Sequence, residues 1–422
     1  MAVAAMSAPK HARPKGTQDF LPGAAARRRR VEHAFRHAAA AFGFEEIITP
    51  MFEHTEVFVK SAGEASDVVT KEMYTFPDRG GRSLTLRPEG TPGVVRAVLE
   101  ERLRLPARLH YCGPFFRYGR PQKGRLREFH QLGVEALGEV NPEADAEVIL
   151  LGRWFFEDLG IADCGVQLNS IGCRECRPAY RAELVGYLSG RAGALCEDCR
   201  VRLERNPMRV LDCKNESCRR EAEGAPAARN HLCPACREHF DRLRAELDRR
   251  GLRYELADRL VRGLDYYNRT TFEYVSARLG AQDSLGGGGR YDYLFEEFGG
   301  PATPAVGLAI GLERTMMVMP EAPEPARRRL AFVVWMTEAE RGAAVELLDR
   351  LRVDGVPAQM SYDPRPARQF KAADAARAAC CVIIGPDEAG RGTVSLKDLA
   401  TGTQEEIPRN IVAPEARALF RD

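Results

Sequence analysis

The sequence predicts a protein of several domains, in the α/β and α+β classes, with an antiparallel sheet, a cysteine-rich segment and a small α/β domain. Three observations predict this architecture. Strand-like runs at 109–116 and 129–135 flank a short loop, as in an antiparallel pair. Eight cysteines are concentrated in residues 173–236. After the proline-rich segment 320–329, strands alternate with a helix, which is typical of an α/β domain.

Length and composition limit the class of protein. A chain of 422 residues allows two or three domains with ample mass for a core. Lys and Arg number 62 against 60 Asp and Glu, so we expect nucleic acid to meet local patches rather than a net charge. No window holds the roughly 18 apolar residues of a membrane helix, and residues 1–16 lack a secretory signal pattern. We therefore expect a cytoplasmic protein whose twelve cysteines stay reduced.

The first element is a helix over about residues 24–42. Its apolar side chains recur at helical spacing, at Val31, Phe35, Ala38 and Phe42. Gly43 is placed to end the helix, and residues 44–50 alternate like a strand that ends in Pro50. The basic run 27–30 is expected to be a solvated face of the helix.

Polar groups follow the apolar strands of the next stretch, residues 84–139. Residues 84–91 predict a strand and a turn that lead into a helix at about 92–102. Arg117 follows the buried strand 109–116, where an arginine implies a bound anion.

The returning strand 129–135 also indicates a polar site. Phe129, Gln131, Gly133 and Glu135 share one face of it. A buried glutamine and glutamate need partners, since each unpaired group costs about 1–3 kcal/mol. We therefore expect a polar pocket, although a structural role stays open. The loop before this strand, residues 120–127, is basic and flexible.

The cysteines of the third stretch form four closely spaced pairs: Cys173 and Cys176, Cys196 and Cys199, Cys213 and Cys218, Cys233 and Cys236. Structural zinc favours four thiolates from such pairs, so eight thiols would fill two tetrahedral sites. Ordinary buried or surface thiols are the alternative. The spacing leaves the pairing of the four pairs open. A zinc ion held by four thiolates would be structural, because no position stays open for a substrate.

Residues 260–270 combine an arginine with two aromatic walls. Arg262, Asp265, Tyr266 and Tyr267 precede a strand at 271–275. Tyrosines offer flat faces with polar tips, and arginine a fixed positive fork. This combination suits a small, flat, polar ligand beside a phosphate, whereas a surface turn is the alternative.

Two glycine-containing runs follow. Residues 284–292 contain four consecutive glycines, which either admit a ligand close to the backbone or form a plain loop. Residues 305–314 predict a strand that turns into a helix carrying Arg314. Beyond the linker, strands are predicted at 330–335 and 380–385 around a helix at 338–352, in a mostly parallel sheet.

In their order along the chain, these motifs resemble those of class II aminoacyl-tRNA synthetases. Residues 24–50 resemble motif 1, the dimer interface in that family. The strand–loop–strand around Arg117 resembles motif 2, and residues 305–314 match motif 3, whose arginine contacts ATP. Residues 260–270 and 284–292 resemble two signatures specific to histidyl-tRNA synthetases.

The resemblance covers essentially the whole chain and implies four segments. The antiparallel-sheet catalytic domain would comprise residues 1–170 and 259–325, interrupted by an inserted, cysteine-rich helical domain at 171–258. Residues 330–422 would form the α/β anticodon-binding domain. The zinc prediction is independent of the resemblance, because zinc does not define the family.

The resemblance also implies a reaction and its partners. Histidine and ATP, the latter with Mg²⁺, would form histidyl-adenylate, and histidine would pass to the 3′ end of tRNA(His). The catalytic domain would form a homodimer.

Roles for individual side chains follow from the same resemblance. Arg117 and Arg262 would flank the α-phosphate as catalytic residues. ATP would be bound by Arg117 and Arg314. The histidine substrate would be bound by Glu89, Thr91, Gln131, Glu135, Tyr266 and Tyr267. Within this set, Glu135 and Tyr267 would meet the imidazole, and Glu89, Thr91 and Gln131 the α-amino group. The tRNA acceptor stem would meet Arg120, Gln122, Arg125 and Arg127.

One departure and two rivals qualify this interpretation. Motif 2 usually reads Phe-Arg-x-Glu, but here Gly119 stands in place of the glutamate that helps to seat the nucleotide. The main rival is the synthetase-like regulatory subunit of ATP phosphoribosyltransferase, a histidine sensor. It would be expected to lack the C-terminal domain and parts of the ATP apparatus. A zinc-ribbon nucleic-acid-binding protein is the third class.

Overall fold

The computed structural model describes residues 11–62, 66, 68–280, 283–321 and 328–420. The chain forms two compact units, Met1–Pro320 and Glu321–Asp422. Among the described residues, no helix is long and apolar enough to cross a membrane. The predictions for residues 1–10 and for 322–327 of the proline-rich linker fall outside the described residues.

Two sheets form the framework of the first unit. Its strands are β1 (Glu45–Glu46), β2 (Phe52–His54), β3 (Tyr74–Pro77), β4 (Ser83–Leu86), β5 (Ala107–Phe116), β6 (Glu128–Leu137), β7 (Gly165–Ser170), β8 (Glu255–Leu256), β9 (Asn268–Val275), β10 (Ser284–Arg290) and β11 (Ala305–Gly311). The large sheet has the order β1-β5-β6-β11-β10-β9-β7-β8, and its long strands pair antiparallel. The small sheet has the order β2-β4-β3. The predicted antiparallel sheet is therefore confirmed.

Some helices of the first unit pack on the large sheet, and others form the insertion. They are α1 (Pro22–Ala41), α2 (Thr55–Ala62), α3 (Thr91–Glu100), α4 (Pro142–Asp158), α5 (Arg177–Ser189), α6 (Glu197–Arg205), α7 (Glu216–Ala222), α8 (Pro234–Arg249), α9 (Leu294–Glu297) and α10 (Leu312–Val318). Helix α4 packs between α1 and α8, and apolar side chains of all three enter one core. Helix α1 ends ahead of Gly43, whose φ of 76° is unfavourable for other residues.

The four consecutive glycines form a strand, not a loop. Strand β10 lies between β9 and β11 near the middle of the large sheet. A Cβ on Gly287 would lie 2.9 Å from Arg262 Nη1, so only a glycine leaves room for that guanidinium. Glycines carry no apolar period, and for that reason the sequence could not distinguish the strand from a loop.

The strand predicted at 44–50 is much shorter in the structure. Strand β1 has two residues, and one further backbone hydrogen bond joins Ile47 N to His110 O at 2.8 Å. Because β1 is the edge of the sheet, the chain can leave it at once and turn toward β2.

The second unit is a five-stranded sheet with helices. Its strands are β12 (Arg328–Trp335), β13 (Ala358–Met360), β14 (Ala378–Ile384), β15 (Thr393–Asp398) and β16 (Gln404–Pro408). Its helices are α11 (Arg341–Val353), α12 (Pro366–Ala375), α13 (Pro386–Arg391) and α14 (Val412–Ala418). The sheet is mixed, so the prediction of a mostly parallel sheet holds in part: β12 pairs parallel with β13 and β14, whereas β15 pairs antiparallel with β14 and β16. The link between β15 and β16 is too short for a crossover helix.

Candidate active site

A cavity of about 1340 Å³ lies in the first unit, bordered by the large sheet and the insertion. Most of the predicted substrate-binding side chains line it: Glu89, Thr91, Arg117, Arg125, Gln131, Arg262, Tyr266, Tyr267 and Arg314. They come from the turn before α3 and its first residue, the end of β5 and the loop after it, strand β6, the segment before β9, and the first turn of α10. The structure therefore brings together residues that are up to 225 positions apart, since 314 minus 89 is 225.

Glu89 presents one bound and one unbound carboxylate oxygen. Its Oε2 accepts a hydrogen bond from the Tyr266 hydroxyl at 2.8 Å, whereas its buried Oε1 has no partner among the described residues. Burial raises the pKa of Glu89 to about 7, against the opposing effects of the Arg117 charge and the Tyr266 hydrogen bond. Gln131 Oε1 is likewise buried without a partner in the described part of the chain. These two buried oxygens can therefore accept hydrogen bonds from a ligand that carries N–H groups.

Glu135 lies behind the cavity wall in a hydrogen-bonded network. Its Oε1 accepts from Thr91 Oγ1 at 2.6 Å, and its Oε2 from the Tyr291 hydroxyl at 2.5 Å. The Tyr111 hydroxyl lies 3.5 Å from Oε1. Burial raises the pKa of Glu135 to about 7, and the hydrogen bonds from Thr91 and Tyr291 limit that rise. Gly307 provides the space, since a side chain there would collide with the carboxylate.

Arg117, Arg262 and Arg314 are among the arginines that bring positive charge to the cavity. Arg117 Nε donates to Pro88 O at 2.8 Å, and its guanidinium lies 5.5 Å from the centre of the Phe129 ring. Arg262 Nη1 pairs with Glu273 Oε1 at 2.5 Å. Arg314 Nη1 donates to Ser284 O at 2.7 Å. These contacts fix the guanidinium groups before any ligand binds, which suits the stabilisation of phosphate charge.

The motif 2 loop, residues 120–127, contains a tight turn. Backbone hydrogen bonds of 3.1 and 2.9 Å join Gln122 and Arg125 in both directions. Arg120 and Gln122 are exposed, whereas Arg127 lies over the Tyr118 ring at 4.0 Å. The two exposed side chains are free to meet a macromolecule.

Glu72, which the sequence analysis did not single out, lies where motif 2 departs from its usual pattern. A Cβ on Gly119 would lie 2.9 Å from Arg125 Nε, so the missing side chain leaves room for that guanidinium. Arg125 Nη2 is paired with Glu72 Oε1, and Glu72 lines the cavity. A carboxylate is thus present beside the loop, although motif 2 does not supply it. The sequence contains one indication that another residue supplies this carboxylate: Gly119 stands where motif 2 usually has a glutamate.

The insertion supplies part of the cavity wall and contacts residues 262–265. Arg209 Nη1 donates to Arg262 O at 3.0 Å, and Asn206 Nδ2 donates to Asp265 Oδ1 at 2.8 Å. No sequence pattern marks Arg209 or Asn206, because each contact joins residues more than 50 positions apart.

The eight cysteines of the insertion form two groups of four. One is the first cluster, Cys173, Cys176, Cys233 and Cys236; the other is the second cluster, Cys196, Cys199, Cys213 and Cys218. Within each cluster all four Sγ atoms lie within 4.8 Å of one another. The sulfur of Cys173 lies 3.7 Å from that of Cys176, and the sulfurs of Cys196 and Cys213 lie 3.9 Å apart. Sulfurs around one zinc ion would lie about 3.8 Å apart, given a Zn–S bond of about 2.3 Å. The pairing that the sequence left open is therefore fixed by the fold.

Comparison with known proteins identifies the class and then the family. Residues 16–315 match the family model described as Histidyl-tRNA synthetase, and residues 331–419 match the Anticodon binding domain. Proteins called histidine--tRNA ligase from Desulforudis audaxviator and Moorella thermoacetica are 48% and 46% identical to the chain. Each comparison covers 96% of this chain and 98% of the relative. An apo histidyl-tRNA synthetase structure from S. aureus superposes with a TM-score of 0.80 at 32% identity, covering 96% of this chain and all of that one.

The protein is thus a class II aminoacyl-tRNA synthetase, as its fold and sites indicated. Within that class, the chain belongs to the histidyl-tRNA synthetase family.

Proposed function

We propose that this chain activates histidine with ATP in the cavity of the first unit and transfers it to tRNA(His). The observation that carries the proposal is the pair of buried acceptors without a partner among the described residues, Glu89 Oε1 and Gln131 Oε1, in a cavity that is also lined by arginines. The acceptors suit the N–H groups of an amino acid, and the arginines suit the phosphates of ATP.

Two group transfers make up the reaction. The carboxylate oxygen of histidine attacks the α-phosphorus of ATP, and the bond to pyrophosphate breaks. A ribose hydroxyl at the 3′ end of tRNA then attacks the adenylate carbonyl, and AMP leaves with its electron pair. The first step needs no general base, since a carboxylate is ionised at neutral pH. Mg²⁺ enters with ATP as part of the substrate complex.

The arginines act on the phosphates, each at a different point. Arg117 and Arg262 flank the α-phosphate, where negative charge increases in the transition state. Arg314 binds the γ-phosphate. Catalysis then depends mainly on positioning and charge, because the protein forms no covalent bond to the substrates.

The histidine site reads the ammonium group and the ring separately. Glu89, Thr91 and Gln131 receive the α-amino group: the first and third through their unpartnered oxygens, Thr91 through its hydroxyl oxygen. The Tyr267 hydroxyl, at the cavity, meets one imidazole nitrogen, and Glu135 reaches the other from behind Thr91 and Tyr111 of the cavity wall. Tyr266 holds Glu89 in place. An apolar amino acid would leave these buried polar groups unpaired, so it should be rejected strongly.

The test is pyrophosphate exchange without tRNA, run with each of the twenty amino acids. We expect exchange that depends on histidine and on Mg²⁺. Exchange with another amino acid and not with histidine would refute the substrate assignment. No exchange with any amino acid would favour the regulatory histidine sensor instead; the arginines of the cavity and the anticodon-binding domain match at 331–419 oppose that alternative.

The exposed side chains of the motif 2 loop serve the second step. We predict that Arg120→Ala combined with Gln122→Ala slows transfer to tRNA by roughly 10-fold or more, since one hydrogen bond to a charged group is worth about 1.5–3 kcal/mol. Pyrophosphate exchange should stay unchanged. Arg125→Ala is the contrasting variant, because Arg125 lines the cavity, and it should lower exchange itself. An equal loss of both steps in the double variant would assign the loop to the ATP site.

An exposed apolar surface supports a homodimer through motif 1. Ile48 is 85% exposed, and the neighbouring Met51 and Phe52 are also more than half exposed. Large apolar side chains grouped on a surface mark an interaction site. Light scattering should therefore give twice the mass of one chain, and Ile48→Asp should shift the protein toward the single chain. A wild-type protein with the mass of one chain would contradict the dimer. The cytoplasm is the compartment proposed for it.

Each cysteine cluster holds one structural zinc ion. Four thiolates at the spacing of a tetrahedral site support this proposal, and the Cys233 and Cys196 backbone N–H groups donate to Cys176 and Cys218 sulfurs at 3.1 and 3.2 Å. Such bonds stabilise thiolate charge.

Elemental analysis of protein purified without chelator should give two zinc ions per chain. Cys233→Ser should lower the content to one and destabilise the insertion, because metal binding contributes folding energy. Cys112→Ser, a half-buried cysteine outside both clusters, should leave both ions in place. Metal-free protein with full stability and activity would contradict the proposal.

A further inference from the structure

We infer that the zinc ion of the second cluster is a positioning device for the reaction, because it fixes the segment that holds Arg262 in place. The inference rests on the proposed zinc and on the proposed role of Arg262. It assigns a catalytic consequence to cysteines that the zinc proposal alone would make purely structural.

The segment in question runs from residue 206 to 213 and is held at both ends. Helix α6 carries Cys199 and ends at Arg205, and Cys213 follows the short turn Pro207–Val210. Cys199 and Cys213 belong to the same cluster. A metal that binds both therefore closes a short loop and removes much of the conformational freedom between them.

This segment makes two direct contacts with residues 260–270, the first of the two signatures. Arg209 Nη1 donates to the carbonyl of Arg262 at 3.0 Å, and Asn206 Nδ2 donates to Asp265 Oδ1 at 2.8 Å. Gly263 permits the approach, since a Cβ there would lie 3.2 Å from Arg209 Nη1. The main-chain carbonyl before Gly263 and the Asp265 carboxylate after it are thus tied to the segment.

Apolar packing reinforces the hydrogen bonds. Val210 and Leu211 are buried in the same hydrophobic cluster as Val261, Tyr266 and Tyr267. Cys199, Cys213 and Cys218 are members of that cluster too. One continuous core therefore includes the second cluster, the segment 206–213 and residues 260–270.

The proposed role of Arg262 depends on where its guanidinium lies, and two contacts fix that position. Its guanidinium is paired with Glu273 on β9, so the sheet holds its tip while the segment holds its backbone. If the segment loosened, the backbone would shift and the guanidinium would have to follow or leave Glu273. A displacement of about 1 Å in a group that acts in the transition state can cost about 100-fold in rate.

The second cluster also lies at the cavity itself. Cys196 and Cys213 are among the residues that line the cavity, whereas no cysteine of the first cluster does. Loss of metal from the two clusters should therefore have different effects on catalysis.

The experiment measures pyrophosphate exchange per active site, with active sites counted by the burst of adenylate formation. Cys213→Ser should remove one zinc ion and lower exchange per site by about 10- to 100-fold, the range typical of losing a residue that orients a functional group. Arg209→Ala, which keeps all eight cysteines, should cause a similar loss with two zinc ions still bound. Arg209→Lys, which keeps one donor, should restore part of the rate.

The double variant decides between coupling and general damage. If zinc acts through Arg209, the effects of Cys213→Ser and Arg209→Ala should be far from additive, because each breaks the same connection. A variant that only unfolds more easily would show fewer active sites at an unchanged rate per site. Arg220→Ala, an exposed charge on α7 beside the same cluster, is the control and should behave as wild type.

The outcomes separate the two proposals. Wild-type protein without zinc would refute the metal and, with it, this inference. Two bound zinc ions together with a wild-type rate per site in Arg209→Ala would leave the zinc proposal intact and overturn the coupling. The same holds if Cys213→Ser loses one zinc ion but keeps the wild-type rate per site. If Cys213→Ser fails to fold, Arg209→Ala and Asn206→Ala give the decisive rates.

Discussion

Replacing Arg262 by alanine should lower histidine-dependent pyrophosphate exchange by roughly 10²–10³-fold, the cost of removing one donor aimed at transition-state charge. Arg262 is partly buried, lines the cavity and is paired with Glu273 at 2.5 Å. Because its charge acts on the transition state more than on bound ATP, kcat should fall much more than the KM for ATP rises.

A matched variant tests whether geometry or charge is lost. Arg262→Lys keeps the charge but not the two-pronged guanidinium, so it should recover only part of the rate. Glu273→Gln removes the carboxylate that holds the guanidinium and should have a smaller effect than Arg262→Ala. Near-normal exchange in Arg262→Ala would remove this residue from the mechanism.

The second large effect concerns stability. Arg290→Met should lower the free energy of unfolding of the first unit by about 3–5 kcal/mol, since it leaves the buried charge of Asp145 without its arginine and with only His239 beside it. Arg290 is fully buried on β10 and pairs with the fully buried Asp145 on α4. It also donates to Glu139 O at 2.8 Å and to Asn141 O at 3.1 Å. The change would uncouple the glycine strand from the helix that covers the sheet.

Denaturation in urea measures the loss, with a surface ion pair as control. Arg36→Met breaks the pair with Glu46 and should cost about 0–1 kcal/mol, because both side chains of this pair are exposed to solvent. Equal costs for Arg290→Met and Arg36→Met would contradict the account of the buried pair.

The pH dependence of this stabilisation has a definite sign. Although burial alone would raise it, the charge of Arg290 and the hydrogen bonds from His239 and Arg290 lower the pKa of Asp145 below its usual value. The pair therefore stabilises the fold above the unfolded value of about 3.9, and its contribution is lost as the pH falls toward the folded value.

The parts of the site that depend on local sequence were predictable. Arg117 follows a strand, Arg262 lies ahead of one and Arg314 lies in the first turn of a helix, and each lines the cavity. Gln131 was expected to share a pocket because of its place on a buried strand, and it lines the cavity. The prediction for Gln131 needed only the period of a strand and the chemistry of the side chain, whereas the role of Arg314 was implied by the resemblance to motif 3.

The parts that depend on contacts between distant segments were not. Tyr291 donates to Glu135 across 156 positions, and Arg209 meets Arg262 across 53. No periodicity or spacing encodes such contacts, so the network behind the cavity and the role of the insertion in its wall appeared only in the structure. The pairing of the cysteines has the same cause: the first cluster encloses the second along the chain.

Aminoacylation of total tRNA with each of the twenty amino acids tests the central claim most directly. We predict that histidine alone is attached, and that sequencing of the charged fraction returns tRNA(His). Buried acceptors at Glu89 and Gln131 and the network around Glu135 should exclude the other nineteen. Attachment of a different amino acid, or adenylate formation that never leads to charged tRNA, would contradict the account.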